Sequence, residues 1–130
     1  MVGPQTPTRR GTLAYDELRG LCESRAIDSP SLADAQIQPA SIDLTLGSEA
    51  YRLPGSILPL ANEAVGDLVR GLALEKLDLT EARCLAREHV YVVKLQETFR
   101  LPPKLRGYTN SKSSAGRVDV ATRVMARTFE

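Results

Sequence analysis

The chain has 130 residues, 42% of them apolar and 25% charged, which is one domain's worth of polypeptide with enough apolar material for a core, and it excludes a multidomain enzyme, a fibrous repeat or a wholly disordered chain. Seventeen basic residues against sixteen acidic ones give a net charge of +1, so a surface built to bind a nucleic-acid polymer is excluded and any anion site must be local. Two cysteines and a single histidine are too few for a disulfide framework or a four-ligand zinc centre. No apolar run reaches membrane-spanning length and no apolar segment follows the basic start, so the expectation is a cytoplasmic protein without a signal peptide or membrane span.

Residues 1–11, with two prolines, two glycines and Arg9-Arg10, read as a flexible N-terminal arm, and residues 12–130 as the domain. From Thr12 the pattern becomes helical. Ala14, Leu18, Leu21 and Cys22 make one apolar stripe, and Asp16, Glu17, Arg19 and Glu23 take the other face, which predicts an amphipathic helix ending near Ala26 with Thr12 as its N-cap. Asp28-Ser29-Pro30 breaks it. Ser41 to Gly47 alternates, with Ile42, Leu44 and Leu46 on one side and Ser41, Asp43 and Thr45 on the other, and predicts a half-buried strand that resumes over Tyr51–Leu53 after a turn at Gly47-Ser48. Residues 56–76 fit a short helix around Val65–Leu72, weakened by Gly66 and Gly71.

The second half reads as β structure. Leu77–Thr80 is a short alternating piece, and Val90–Leu95, rich in β-branched residues, predicts a buried strand. Phe99–Leu101 runs into Pro102-Pro103, and Val118, Val120 and Val124 suggest a last strand. The fold class expected is mainly β with one N-terminal helix.

Between those last strands, Asn110 to Arg117 gathers three serines, an asparagine, a lysine, a glycine and an arginine. Small residues admit backbone N–H groups to an anion, hydroxyls donate to phosphate oxygens, and Lys112 and Arg117 bring charge, the chemistry of a polyphosphate cradle. It has neither the Walker A spacing nor a dinucleotide fingerprint, and on composition alone a solvated turn before a strand is the simpler reading. Asp43, on the polar side of its segment, could hold a magnesium-bound water or a partner loop, the simpler reading being a cap or ion pair. Cys22 is a core thiol by its stripe, Cys84 an unactivated loop thiol, and His89 lacks any companion for metal binding. Zinc-dependent deamination fails for want of H-x-E and P-C-x-x-C. A serine triad fails because His89 would be its base and no G-x-S-x-G accompanies the serines.

Taken together, two segments carry a resemblance. Ile37-Gln38-Pro39-Ala40-Ser41-Ile42-Asp43-Leu44-Thr45-Leu46-Gly47 resembles the first motif of the dCTP deaminases. Lys112-Ser113-Ser114-Ala115-Gly116-Arg117 resembles the serine-serine-x-x-arginine motif that those enzymes share with trimeric dUTPases, and Leu101-Pro102-Pro103 precedes it in the matching order. Many relatives have leucine-alanine where this chain has Ala115-Gly116. The likeness runs from about Thr12 onward and is nearest to the N-terminal portion of the longer, two-domain bacterial type.

The resemblance implies a β-clip fold, a dUTPase-like distorted β barrel, assembled as a homotrimer or pseudo-trimer with sites between subunits. It implies zinc-free hydrolysis of dCTP to dUTP and ammonia, with Mg2+ carried by the triphosphate and no metal bound by the protein. By this likeness Ser113 and Arg117 are the catalytic pair, Lys112, Ser113, Ser114 and Arg117 bind substrate, and Gln38 and Asp43 support the site. The family's catalytic glutamate lies in a later strand, so the expectation is a domain truncated at its C-terminus, whose isolated activity lacks a factor of roughly 10² to 10⁴ from general acid–base catalysis. Two alternatives share the same loop: a dUTPase-like diphosphatase, and a noncatalytic nucleotide-binding or assembly module.

Overall fold

The computed structural model describes residues 10–60 and 62–123. Their elements are α1 Tyr15–Glu23, β1 Ile27–Asp28, a 3₁₀ turn Asp34–Gln36, β2 Leu46–Leu53, α2 Val65–Leu72, β3 Glu75–Asp78, β4 Val90–Leu95, β5 Thr98–Phe99 and α3 Ser113–Arg117. The expected arm lies outside the described residues except for Arg10 and Gly11.

The apolar stripe does form a helix, shorter than expected at both ends. Ala14, not Thr12, occupies the N-cap, with extended backbone, and its N–H donates to the Glu17 carboxylate at 2.9 Å; an acid one turn in supplies the acceptor half of a capping box. At the other end Arg25 takes a left-handed φ of 57°, and its N–H and that of Ala26 return to the carbonyls of Cys22 and Leu21 at 3.0 and 2.9 Å. That pair of bonds is a Schellman ending, with its usual apolar contact made by Leu21 and Ala26 in one buried cluster with Ile27. Cys22, Ile42, Phe99 and Leu101 pack against this cluster. Ile27 and Asp28 of β1 pair antiparallel with Phe99 and Thr98 of β5, so the first and last thirds of the described chain share one small core.

The larger sheet is antiparallel in the order β3-β2-β4. Ala50 and Leu53 of β2 are buried under α2, whose Val69 is buried as well. Val90–Leu95 is a strand over the expected residues, but half-buried rather than buried, because β4 lies at an edge of this sheet and has β2 as its neighbour. The strand expected at Leu77–Thr80 forms two residues earlier, at Glu75–Asp78, and ends where the Thr80 N–H donates to Asp78 Oδ1 at 2.9 Å. No turn separates Leu46 from Tyr51. The strand runs through, and three residues of β2 (47–49) face one of β4 between the pairs Leu46↔Leu95 and Ala50↔Val93, a bulge rather than a reversal.

Two expected strands do not form among the described residues. Residues 41–45 alternate in sequence, yet they are no ladder: a single bridge joins Ile37 to Ile42, Gln38 N–H donates to Ser41 C=O at 2.8 Å, and Asp43 N–H donates to Gln36 C=O at 2.8 Å. The segment is a tight reversal, and Leu46, expected in the core, is exposed. Over Val118–Val120 the backbone turns instead. Asp119 has φ 60°, the N–H groups of Val118 and Val120 both reach Ala115 C=O, and Val118 and Val120 are exposed; Val124 lies outside the described residues.

Candidate functional site

Lys112 holds the N-cap of α3 in extended conformation, and Gly116 N–H closes the turn on its carbonyl at 3.0 Å. The stretch read on composition as a solvated turn is thus a helical turn of five residues. Ser113 and Arg117 stand four apart in it and Ser114 and Arg117 three apart, spacings that put hydroxyls and guanidinium on neighbouring positions of one face. All three are exposed. Beneath the turn, Ser111 Oγ meets Thr122 Oγ1 at 3.0 Å and accepts Thr122 N–H at 3.2 Å, which clips the two ends of the segment together.

The other candidate residues come from the first reversal. Gln38 Nε2 donates to Ala35 C=O at 3.0 Å and lies 3.4 Å from Asp43 Oδ2. The same Oδ2 accepts Lys112 Nζ at 2.7 Å, an ion pair whose lysine is two-thirds exposed and therefore screened, worth at most about 1 kcal/mol. Its significance is geometric. Gln38, Asp43 and Lys112, read from two segments 69 residues apart, meet at one point. Ser113, Ser114 and Arg117 follow Lys112 directly in α3.

Glu97 was not singled out by sequence. It is 5% exposed, and its two carboxylate oxygens each lie 3.0 Å from the Thr45 amide. Gln36 Nε2 lies 3.2 Å from Glu97 Oε1, 3.1 Å from Thr45 Oγ1 and 2.9 Å from Asp43 C=O, two hydrogens shared among three acceptors, while Gln36 Oε1 accepts Ala33 N–H at 2.9 Å. These bonds explain why residues 41–45 are not a strand: side chains take the main-chain groups that a ladder would use. The signal was present in the sequence. Tyr91, Val93, Leu95, Phe99 and Leu101 share one phase of a two-residue repeat, and Glu97 falls in that apolar phase.

The remaining candidates stand apart from α3 in role. Cys22 is half-buried, its thiol pKa pushed up by burial and then by the nearby Asp34 and Glu23 carboxylates. Cys84 is exposed, and His89 spends its Nδ1–H on Arg87 C=O at 2.6 Å. Among the described residues, two shallow hollows lie against Cys22, Asp34 and Ile37 and against Asp28, Gln96 and Thr98; the serine–arginine turn lies outside both.

A family model described as the 2'-deoxycytidine 5'-triphosphate deaminase N-terminal domain matches residues 9–130. The chain belongs to this deaminase family. Among solved structures, a crystal structure of 2'-deoxycytidine 5'-triphosphate deaminase from Agrobacterium tumefaciens matches with a TM-score of 0.79 at 38% identity, over 84% of this chain and 33% of that one. The chain thus spans about a third of the length of that relative. No curated protein matches it. The two small antiparallel sheets with their short helices are accordingly the dUTPase-like β fold of the deaminases, as the resemblance implied. Within that fold, the two motifs that carried the resemblance touch through Asp43 and Lys112.

Proposed function

We propose that this chain supplies the serine–arginine and phosphate-binding part of a site that hydrolyses dCTP to dUTP and ammonia, in cytoplasmic pyrimidine deoxynucleotide metabolism. The observation that carries the proposal is the meeting of the two deaminase motifs at Asp43 and Lys112, next to a turn that sets Ser113 and Arg117 on one face.

The chemistry asked of these residues is bounded. A water oxygen adds to C4 of the cytosine ring, the C4–N bond to the amino group breaks, and a proton must travel from the water to the departing nitrogen. The Arg117 guanidinium and the Ser113 hydroxyl polarise the pyrimidine and hold the water, which stabilises charge as it develops. Lys112 and Ser114 take phosphate oxygens, the lysine as a point charge and the serine as a donor. Magnesium enters with the triphosphate as part of the substrate. Asp43, engaged by Lys112 and Gln38, supports the site; the proton transfer itself needs a further acid–base group, a contribution of about 10² to 10⁴. A homotrimer or pseudo-trimer with the site between subunits is part of the same reading.

The test is to incubate the purified chain with dCTP or dUTP and magnesium and to follow ammonia and pyrophosphate separately. Ammonia from dCTP supports the proposal. Pyrophosphate from dUTP replaces it with a diphosphatase, and saturable binding with neither product, in an assay sensitive enough for a rate lowered about 10⁴-fold by the want of the further acid–base group, replaces it with a noncatalytic nucleotide-binding module.

A further inference from the structure

We infer that Glu97 is a positioning residue, which acts through Gln36 and Thr45 to hold Asp43 in place and, through Asp43, the ammonium group of Lys112. Both polar groups of the Asp43 main chain end on Gln36: its N–H donates to Gln36 C=O at 2.8 Å, and its C=O accepts from Gln36 Nε2 at 2.9 Å. That Nε2 lies 3.2 Å from Glu97 Oε1. The next amide but one, Thr45 N–H, is held by the same carboxylate. A buried acceptor therefore fixes the reversal at two points on either side of Leu44, and the Asp43 side chain is aimed by a main chain that cannot swing.

The chemistry of Glu97 suits this task and little else nearby. An ionised carboxylate only accepts hydrogen bonds, and the groups around it here, an amide N–H and a carboxamide NH₂, only donate to it. Burying a charge is costly unless such donors surround it, and an apolar side chain would fill this position between β4 and β5 as well. What an apolar residue could not do is order the Gln36 carboxamide and the Thr45 amide together. The consequence for Lys112 is direct: it is two-thirds exposed, and long exposed lysines sample many rotamers, so its location depends on where Asp43 Oδ2 sits, 2.7 Å away.

The consequence for the nucleotide rests on the function proposed above, and the experiment separates the two. In the full chain, Glu97→Gln keeps the shape and turns one acceptor into a donor, and Gln36→Met removes the carboxamide bridge at similar size. Each is first confirmed folded by circular dichroism. Carbon NMR of the Lys112 side chain then reports its pairing, with Asp43→Asn giving the unpaired position of the signal. Glu97→Gln and Gln36→Met are expected to move the Lys112 signal to the Asp43→Asn position, while the signal of Lys76, paired with Glu49 in the other sheet, stays put. A Lys112 signal at its wild-type position in both folded variants overturns the inference, since a merely structural role lowers the denaturation midpoint without unpairing Lys112.

Affinity for magnesium dCTP is measured on the same proteins. Glu97→Gln is expected to weaken it about fivefold in the wild-type background and to add nothing to Lys112→Ala, as for coupled residues. If the Lys112 signal moves while neither Glu97→Gln nor Lys112→Ala alters dCTP affinity, the positioning role stands and the nucleotide assignment falls.

Discussion

Gly47 lies at the β2 bulge, and a Cβ placed on it would stand 2.7 Å from the Lys94 carbonyl oxygen and 3.4 Å from the carbonyl carbon. Both are main-chain atoms of the neighbouring strand, so no side chain can rotate away and the two strands must separate by some tenths of an ångström. The movement falls on a tight part of the structure, since Leu46 C=O accepts Gln96 Nε2 at 3.1 Å and Thr45 C=O accepts Gln96 N–H at 3.0 Å. Forcing extra volume into such a contact costs about 1–3 kcal/mol, and the stiffer unfolded chain of the alanine variant offsets about 0.4–1 kcal/mol. Taking the middle of each range, Gly47→Ala should therefore destabilise the domain by about 1.3 kcal/mol, lowering the melting temperature by about 4–7 °C for a chain of this size.

Gly20 provides the opposite sign in the same molecule. It is inside α1 with nothing within 4 Å of an added Cβ, and Gly20→Ala should stabilise by about 0.5–1 kcal/mol through helix propensity. Urea titrations followed by circular dichroism compare the two at equal denaturant slope. If Gly47→Ala leaves the midpoint unchanged or raises it alongside Gly20→Ala, the close approach of the strands at the bulge is wrong.

Arg25 takes the left-handed conformation at the helix ending that glycine adopts without steric cost, so Arg25→Gly should raise stability by about 0.5–1 kcal/mol; a lower urea midpoint would contradict the Schellman ending. The two thiols should separate under alkylation of the folded protein at mildly alkaline pH. Cys84 is exposed and Cys22 is half-buried with its pKa pushed up by burial, so iodoacetamide should label Cys84 first and both alike in denaturant. Equal rates in the folded state would place Cys22 outside the core.

What was legible in the sequence was legible for physical reasons that act locally. Val90–Leu95 forms where its β-branched run placed it, and the Leu18, Leu21 and Cys22 stripe meets the core, because side-chain shape and periodicity act at short range. The alternation of Ser41 to Gly47 carried the same signal and misled, since the main-chain groups of Asp43 and Thr45 are taken by Gln36 and Glu97, the latter some fifty residues away. Periodicity cannot register such a partner. Glu97 itself was hidden by its type, since charged residues are rarely buried, although its phase was apolar. The valines at 118 and 120 failed differently: left-handed Asp119 turns the chain there, and a run of β-branched residues has no strand without a neighbour to pair with. Of the candidate site, the residue types came from the motifs, while the pairing of Asp43 with Lys112 needed three dimensions.

The claim that the turn at 112–117 receives a deoxynucleoside triphosphate is tested most directly by titrating magnesium dCTP into the full chain, its Arg117→Ala variant and its Arg9→Ala variant, with calorimetric detection. The expected result is saturable binding that Arg117→Ala weakens at least about tenfold, the loss of one charge-assisted contact of about 1.4 kcal/mol or more, while Arg9→Ala binds as the unmodified chain does. Equal weakening by the two substitutions, or no effect of Arg117→Ala, would contradict the assignment of this turn.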